Sequence, residues 1–256
     1  MLQIYKEEKN VGEGFVNLKI LKVLKSIIFL VISLIGIIIL TLSFHVLITY
    51  FQAKLLLPQE YIIWTFKYPF SVSILIYEFY IMFGFFYVFN KSFRKFIVLN
   101  FNKRFIKKHK KPFLSTFLIL NIILIYTILF DVTVISNNKI IDYTFLSPQG
   151  NQYSFNNIVN IDTGVYGNKI HFPYSHYSKG DFYYIIQLND GTKIHLTDVG
   201  GTKNGEDERF IIEKLDIQYV NMDIPKISSM ENFKYSTEDL DEIYTDKIRN
   251  ILLNIN

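Results

Sequence analysis

Three polar side chains, His45, Glu78 and Asn121, interrupt stretches that are otherwise strongly apolar. A carboxylate in hydrocarbon is costly, so Glu78 must face neighbouring helices or hold its proton. It can then do one of two things: carry a proton or ion, or fix helix packing by hydrogen bonding, within a bundle or a homo-oligomer. Glu78 stands near the middle of run 69–90 and Asn121 near the middle of run 113–130, which helical rise places at similar depth. His45 lies toward the far end of run 26–51. The packing role is favoured, because three helices make a poor conduction path and no second acidic group joins Glu78.

A second constellation is cationic. Lys91, Arg94, Lys95, Lys103, Arg104, Lys107, Lys108, Lys110 and Lys111 fall between Asn90 and Phe113 with no Asp or Glu among them. Such a loop beside apolar spans is retained in the cytoplasm and is a candidate contact for anionic lipid.

The remaining constellations carry less. His171 and His176, with His195, have the ligand type for a metal, but Pro173 breaks any helical spacing between the first two, so a surface loop is expected. Gly200-Gly201-Thr202-Lys203-Asn204-Gly205 lacks the order of a phosphate-binding loop and reads as a flexible break. Asp207, Glu208 and Glu213 fit the solvated face of a helix. No serine stands in a nucleophile elbow. The chain has no cysteine, which excludes disulfides, thiolate metal sites and cysteine nucleophiles. No catalytic residue, metal site or cofactor is expected, and the chain is read as a non-enzyme.

The elements that position these residues follow from hydropathy. Ser26–Phe51, Pro69–Asn90 and Phe113–Phe130 are uncharged or nearly so and are expected as three transmembrane helices. Run 26–51 is too long for the apolar part of a signal peptide. Pro69 and Pro112 suit helix starts. Segment 52–68 reads as a loop, with Trp64 at the outer interface. Lys19, Lys22 and Lys25 precede the first run, so residues 1–25 and the second loop belong inside, and everything after the third run outside. The expected localisation is the cell membrane, multi-pass.

After Asp131 the pattern alternates. Ile140–Leu146 reads as a strand, 147–151 as a turn, then 152–155 and 158–166 as further strands. Asp181–Leu188 and Thr192–Asp198 flank Asn189-Asp190-Gly191, a strong hairpin signal. Residues 206–222 read as a helix. A last amphipathic helix follows a Ser236 or Thr237 cap, with 225–256 as linker and helix.

Composition adds limits. Residues 1–131 carry 16 Lys/Arg against 6 Asp/Glu, and residues 132–256 carry 11 against 17. An acidic soluble half argues against nucleic acid as a partner. Phe, Tyr, Ile, Asn and Lys abound and Ala53 is the single alanine, as AT-rich codons in a low-GC Gram-positive bacterium would give.

Tyr153-Ser154-Phe155-Asn156-Asn157-Ile158, the 182–196 hairpin and the helix from Glu206 together resemble bacterial pleckstrin-homology-like (PH-like) domains found beside membrane spans in Gram-positive bacteria. The resemblance covers residues 132–224 and implies a small β-barrel or sandwich plugged by a helix, serving as a non-enzymatic binding scaffold in envelope stress or bacteriocin immunity. The expected fold is therefore α+β, three transmembrane helices followed by that domain. Its partners would be the bilayer and a protein or peptide at the outer domain. A small transporter or channel accessory subunit working through Glu78 is the alternative.

Overall fold

The computed structural model describes residues 2–67, 73–100, 110–167 and 177–255. Among these, the chain forms two compact units, 1–47 with 75–110 and 48–74 with 111–256.

The first unit is helical. Helix α1 runs Leu2–Leu56, and its last nine residues belong to the second unit. Its apolar part, Ile27–Leu56, is the one described helix long and apolar enough to cross a bilayer by itself. Helix α2, Ile74–Phe89, meets α3, Lys91–Asn100, at a bend of 103°. The bend has a local cause. Asn90 Oδ1 accepts from the Phe93 amide at 3.0 Å, which caps α3. The Phe93 ring then folds back against Phe83 and Phe86 at 5.8 and 5.9 Å.

The three-helix expectation is thereby corrected. The second run's described helix, α2, has 16 residues, fewer than the about 20 a bilayer core requires, and α3 turns part of the basic loop into an amphipathic helix. The third run forms α4, Lys110–Phe130, whose apolar part, Leu114–Phe130, is shorter than the about 20 residues a bilayer core requires.

The second unit is built on strands: β1 (Tyr61–Phe66), β2 (Val132–Ser136), β3 (Lys139–Thr144), β4 (Ser147–Ser154), β5 (Ile158–Val165), β6 (Phe182–Leu188), β7 (Lys193–His195), β8 (Val199–Thr202) and β9 (Lys226–Ser228). They form two sheets, ordered β4-β3-β2-β1-β8 and β7-β6-β5-β9. The barrel with one plugging helix is thus corrected to two sheets with three helices from residue 208 on, the first of them before β9: α5 (Glu208–Asn221), α6 (Phe233–Asp239) and α7 (Glu242–Leu253).

The largest correction concerns segment 52–68. It is not a loop, because β1 lies inside the five-stranded sheet, antiparallel to both β2 and β8. Trp64 is 3% exposed in a cluster with Leu56, Val132, Val134 and Ile141, so it is a core residue and not an interfacial one. Gly200 and Gly201, expected in a flexible loop, lie in β8 against the Trp64 ring, where a Cβ on Gly200 would collide with it. Only glycine lets β8 approach that ring.

Other boundaries shift for similar reasons. The turn expected at 147–151 is strand β4, and the chain reverses at Phe145-Leu146. Pro148 is tolerated there because β4 is an edge strand. The last helix is broken at Leu240-Asp241, so Ser236 lies inside α6 and Asp241 is the N-cap of α7. The 182–195 hairpin is as expected, with Gly191 at φ +87° and Tyr184, Ile186, Leu188, Ile194 and Leu196 buried on one face. These side chains form the main core between the sheets, together with Ile63, Ile135, Ile161, Ile212, Tyr219 and Ile251.

Candidate functional site

A cavity of about 360 Å³ opens on the second unit where the start of β6, the β7–β8 turn, the start of α5 and α6 converge. Its walls include Tyr177, Lys179, Asp181, Thr197, Asp198 and Arg209, with Phe182 and Leu240 supplying apolar surface. Tyr177 Oη lies 3.0 Å from His195 Nδ1 and donates to Asp198 Oδ2 at 3.2 Å. The Tyr166 and Tyr177 rings stack at 4.6 Å, with Tyr183 against Tyr166. Burial beside Tyr183 and the Asp198, Asp162 and Asp181 carboxylates pushes the Tyr166 hydroxyl well above its usual range, so it stays protonated and a donor.

Arg209 is held in place. It donates to Asp207 at 2.9 Å and lies 5.1 Å from the Tyr244 ring centroid. Asp207 caps α5 by accepting from the Arg209 amide at 3.0 Å, which holds the arginine in the first turn of the helix beside the cavity. Ser236 Oγ donates to Gly180 O at 2.9 Å, so it is committed to structure and not placed as a nucleophile. Thr197 Oγ1 is buried on the cavity wall with no hydrogen-bond partner among the described residues. The arrangement, as far as the described residues show it, offers donors, acceptors and aromatic walls.

A second polar cluster sits where α4 enters the sheet. Lys67 Nζ donates to Asp142 at 2.8 Å and Thr133 Oγ1 donates to the same carboxylate at 2.7 Å. Asp131, 4% exposed, adjoins them, and Lys67 N donates to its carbonyl at 3.2 Å. Burial pushes the Asp131 carboxyl up to about 6, with Lys67 pulling it down and Asp142 adding to the rise. Below its ordinary value of 3.8 both folded and unfolded chains hold this proton. Between there and about 6 only the unfolded chain ionises, so stability falls as pH rises through that window. Asp131→Asn is therefore expected to raise the urea midpoint of the full chain in micelles at pH 7, and to flatten its slope between pH 4 and 6. Emission of Trp64, the only tryptophan, follows the transition.

The residues singled out by sequence distribute as follows. Glu78 is half-buried on α2 and His45 exposed on α1, both in the first unit, whereas Asn121 belongs to the second. Asn121 Nδ2 donates to Phe117 O of its own helix at 2.8 Å. Lys91, Arg94 and Lys95 lie on α3, and Lys111 is exposed near the start of α4, whose first residue is Lys110. Lys103, Arg104, Lys107, Lys108, His171, His176 and Pro69 lie outside the described residues. Among the described residues no group of three His, Cys, Asp or Glu could hold a metal ion. Sequence reasoning passed over Tyr177, Thr197, Asp198 and Arg209, whose only shared signal is their nearness to the 182–196 hairpin. No family model, curated protein or solved structure matches this chain, so its likeness to PH-like domains rests on the residues quoted above.

Proposed function

We propose that this chain is a membrane-anchored binding protein whose two-sheet domain takes a polar or cationic ligand on the face of the bilayer opposite the N-terminus. The observation that carries the reading is the cavity at Thr197, Tyr177, Asp198 and Arg209, on a domain joined directly to a 30-residue helical stretch apolar enough to cross a bilayer. Its placement is supported by strand pairing. A β-ladder cannot straddle a bilayer, so β1 and β2 share one face of it. The Lys91, Arg94 and Lys95 charges on α3 favour the cytoplasmic face for that helix. The domain half carries six more Asp/Glu than Lys/Arg, which favours cationic ligands. The envelope role implied by the PH-like resemblance makes cationic peptides the first class to try.

The test has two arms. The chain lacks cysteine, so Asn138→Cys and Ser92→Cys can each be probed with an impermeant maleimide on intact cells. Labelling at 138 alone is expected; labelling at 92 alone contradicts the placement. A cationic peptide titrated against nanodiscs bearing the full chain should bind more tightly than to empty discs. Asp198→Asn should weaken that binding several-fold. Equal binding with and without the chain would contradict the ligand class.

A further inference from the structure

We propose that the β3–β4 tip, Phe145-Leu146, is a membrane wedge that inserts into the boundary of the leaflet facing the domain. The proposal rests on the membrane-anchored reading and adds a second, independent contact with lipid.

Leu146 is 87% exposed, more than any other large apolar side chain among the described residues, and Phe145 is 43% exposed. Two adjacent apolar residues at a hairpin tip are unfavourable in water, where turns favour Gly, Asn, Asp and Ser. Strand register shows where the tip points. Thr133 pairs with Asp142, so β3 continues past the start of β2 toward α4, and Thr144 pairs with Ser147 to close the reversal. The Phe145 ring then meets Tyr126 edge-on at 5.2 Å, and Tyr126 packs on Phe130 at 4.7 Å. Tyr126 lies four residues inside the end of α4, about 6 Å along its axis. The tip thus reaches alongside the apolar helix and not merely to its end.

Residues of α1 stand at the same level. Gln52 Nε2 donates to Ile128 O at 2.9 Å, which aligns the two helices, and Tyr143 Oη donates to Leu56 O at 2.9 Å. Tyr50, Phe51, Tyr126, Phe130 and Phe145 therefore form one aromatic level, as at a lipid–water boundary. Tyr50 is 59% exposed, so this level is open to its surroundings. The tip is braced for insertion, since Thr144 Oγ1 accepts from the Ser147 amide at 3.0 Å and Ser147 Oγ donates to Asn151 at 2.8 Å. A bilayer fits this surface because it continues the exposed apolar surface of α1 and α4.

The test uses the full chain in nanodiscs with an environment-sensitive fluorophore on single cysteines: Leu146→Cys at the tip, Asn138→Cys at the other end of the β2–β3 pair, and Ile38→Cys within α1. Trp64 emission checks that each variant is folded. The proposal expects the probe at 146 to shift to the blue and be quenched by lipid spin-labelled near the headgroup, the probe at 138 to do neither, and the probe at 38 to be quenched by a deep label. A probe at 146 that behaves like 138, with 38 still quenched, overturns the wedge and leaves the anchor standing. An unquenched probe at 38 overturns the anchored reading and the wedge with it. A second variant removes dependence on the probe's own hydrophobicity. With the label moved to Gln149→Cys, Phe145→Ser with Leu146→Ser should reduce headgroup quenching, and unchanged quenching overturns the wedge.

Discussion

A fragment of residues 132–256 is expected not to fold, although it holds every strand that follows the apolar helices. It lacks β1, which stands between β2 and β8. Ile63, fully buried in the main core, and Trp64, 3% exposed in the smaller one, leave with it. Truncating one such side chain costs about 2–5 kcal/mol, against a total domain stability of about 5–15 kcal/mol. Removing both, together with two ladders of backbone hydrogen bonds, exceeds what a domain of this size holds in reserve. Every residue of β2 is buried, so its freed edge would template aggregation. The remedy follows from the same contacts. Because Lys67 N lies 3.2 Å from Asp131 O, residues 57–67 can be joined ahead of Asp131 through a short Gly/Ser linker in place of 68–130. This chimera is expected to be soluble, with dispersed amide resonances and one cooperative urea transition. A well-dispersed spectrum from 132–256 alone would show that β1 is dispensable.

The second large effect lies at Asp216. Its carboxylate is fully buried and accepts from Lys226 Nζ at 2.6 Å, Tyr184 Oη at 2.9 Å and Asn254 Nδ2 at 2.8 Å. Lys226 Nζ also donates to Ile251 O at 2.6 Å and Asn254 O at 2.9 Å, so one ion pair ties α5, β6 and β9 to the end of α7. The Lys226 side chain is 0% exposed, and burial pulls its ammonium below the usual lysine value despite its carboxylate partner. Burial and the Asp216 charge push the Tyr184 hydroxyl well above its own. Asp216→Ala strands the ammonium and two neutral donors in the core and is expected to cost about 3–5 kcal/mol. Lys226→Met leaves a carboxylate that keeps two donors and is expected to cost less. Asp216→Leu combined with Lys226→Met is expected to be milder than Asp216→Ala, because no buried charge remains. Urea midpoints of the three variants at constant m-value check this order. An Asp216→Ala midpoint within error of the parent would contradict it.

These contacts explain what could be read from sequence. The 182–195 hairpin was legible because its strands alternate and Gly191 marks the turn, both local signals. Helix α5 was legible from its apolar stripe and the acidic residues at its start. Strand β1 was not. Tyr61-Ile62-Ile63-Trp64-Thr65-Phe66 sits between apolar runs, and its partner strand β2 begins 66 residues beyond its end. No periodicity announces a pairing at that distance. Gly200-Gly201 misled for the same reason, since those glycines answer to Trp64, far away in the chain. The end of the second run at Asn90 was legible from the Lys91, Arg94 and Lys95 charges that follow, but the helix Lys91–Asn100 beyond it was not, because the turn into it is made by one capping side chain. The cavity needs side chains from the start of β6, the β7–β8 turn, α5 and α6 together, so no stretch of sequence carries it.

The central claim is that one domain is assembled from strands on both sides of the apolar helices, and cross-linking tests it most directly. Tyr61 and Ser136 are paired across β1 and β2, which puts their Cα atoms within about 4.5–5.5 Å, inside disulfide range. In membranes bearing the full chain, Tyr61→Cys with Ser136→Cys should oxidise to an intramolecular disulfide. After cleavage at a protease site inserted between residues 100 and 110, the two halves should then migrate together without reductant and separate with it. Halves that separate without reductant, with both thiols free to react, would contradict the shared sheet and the domain built upon it.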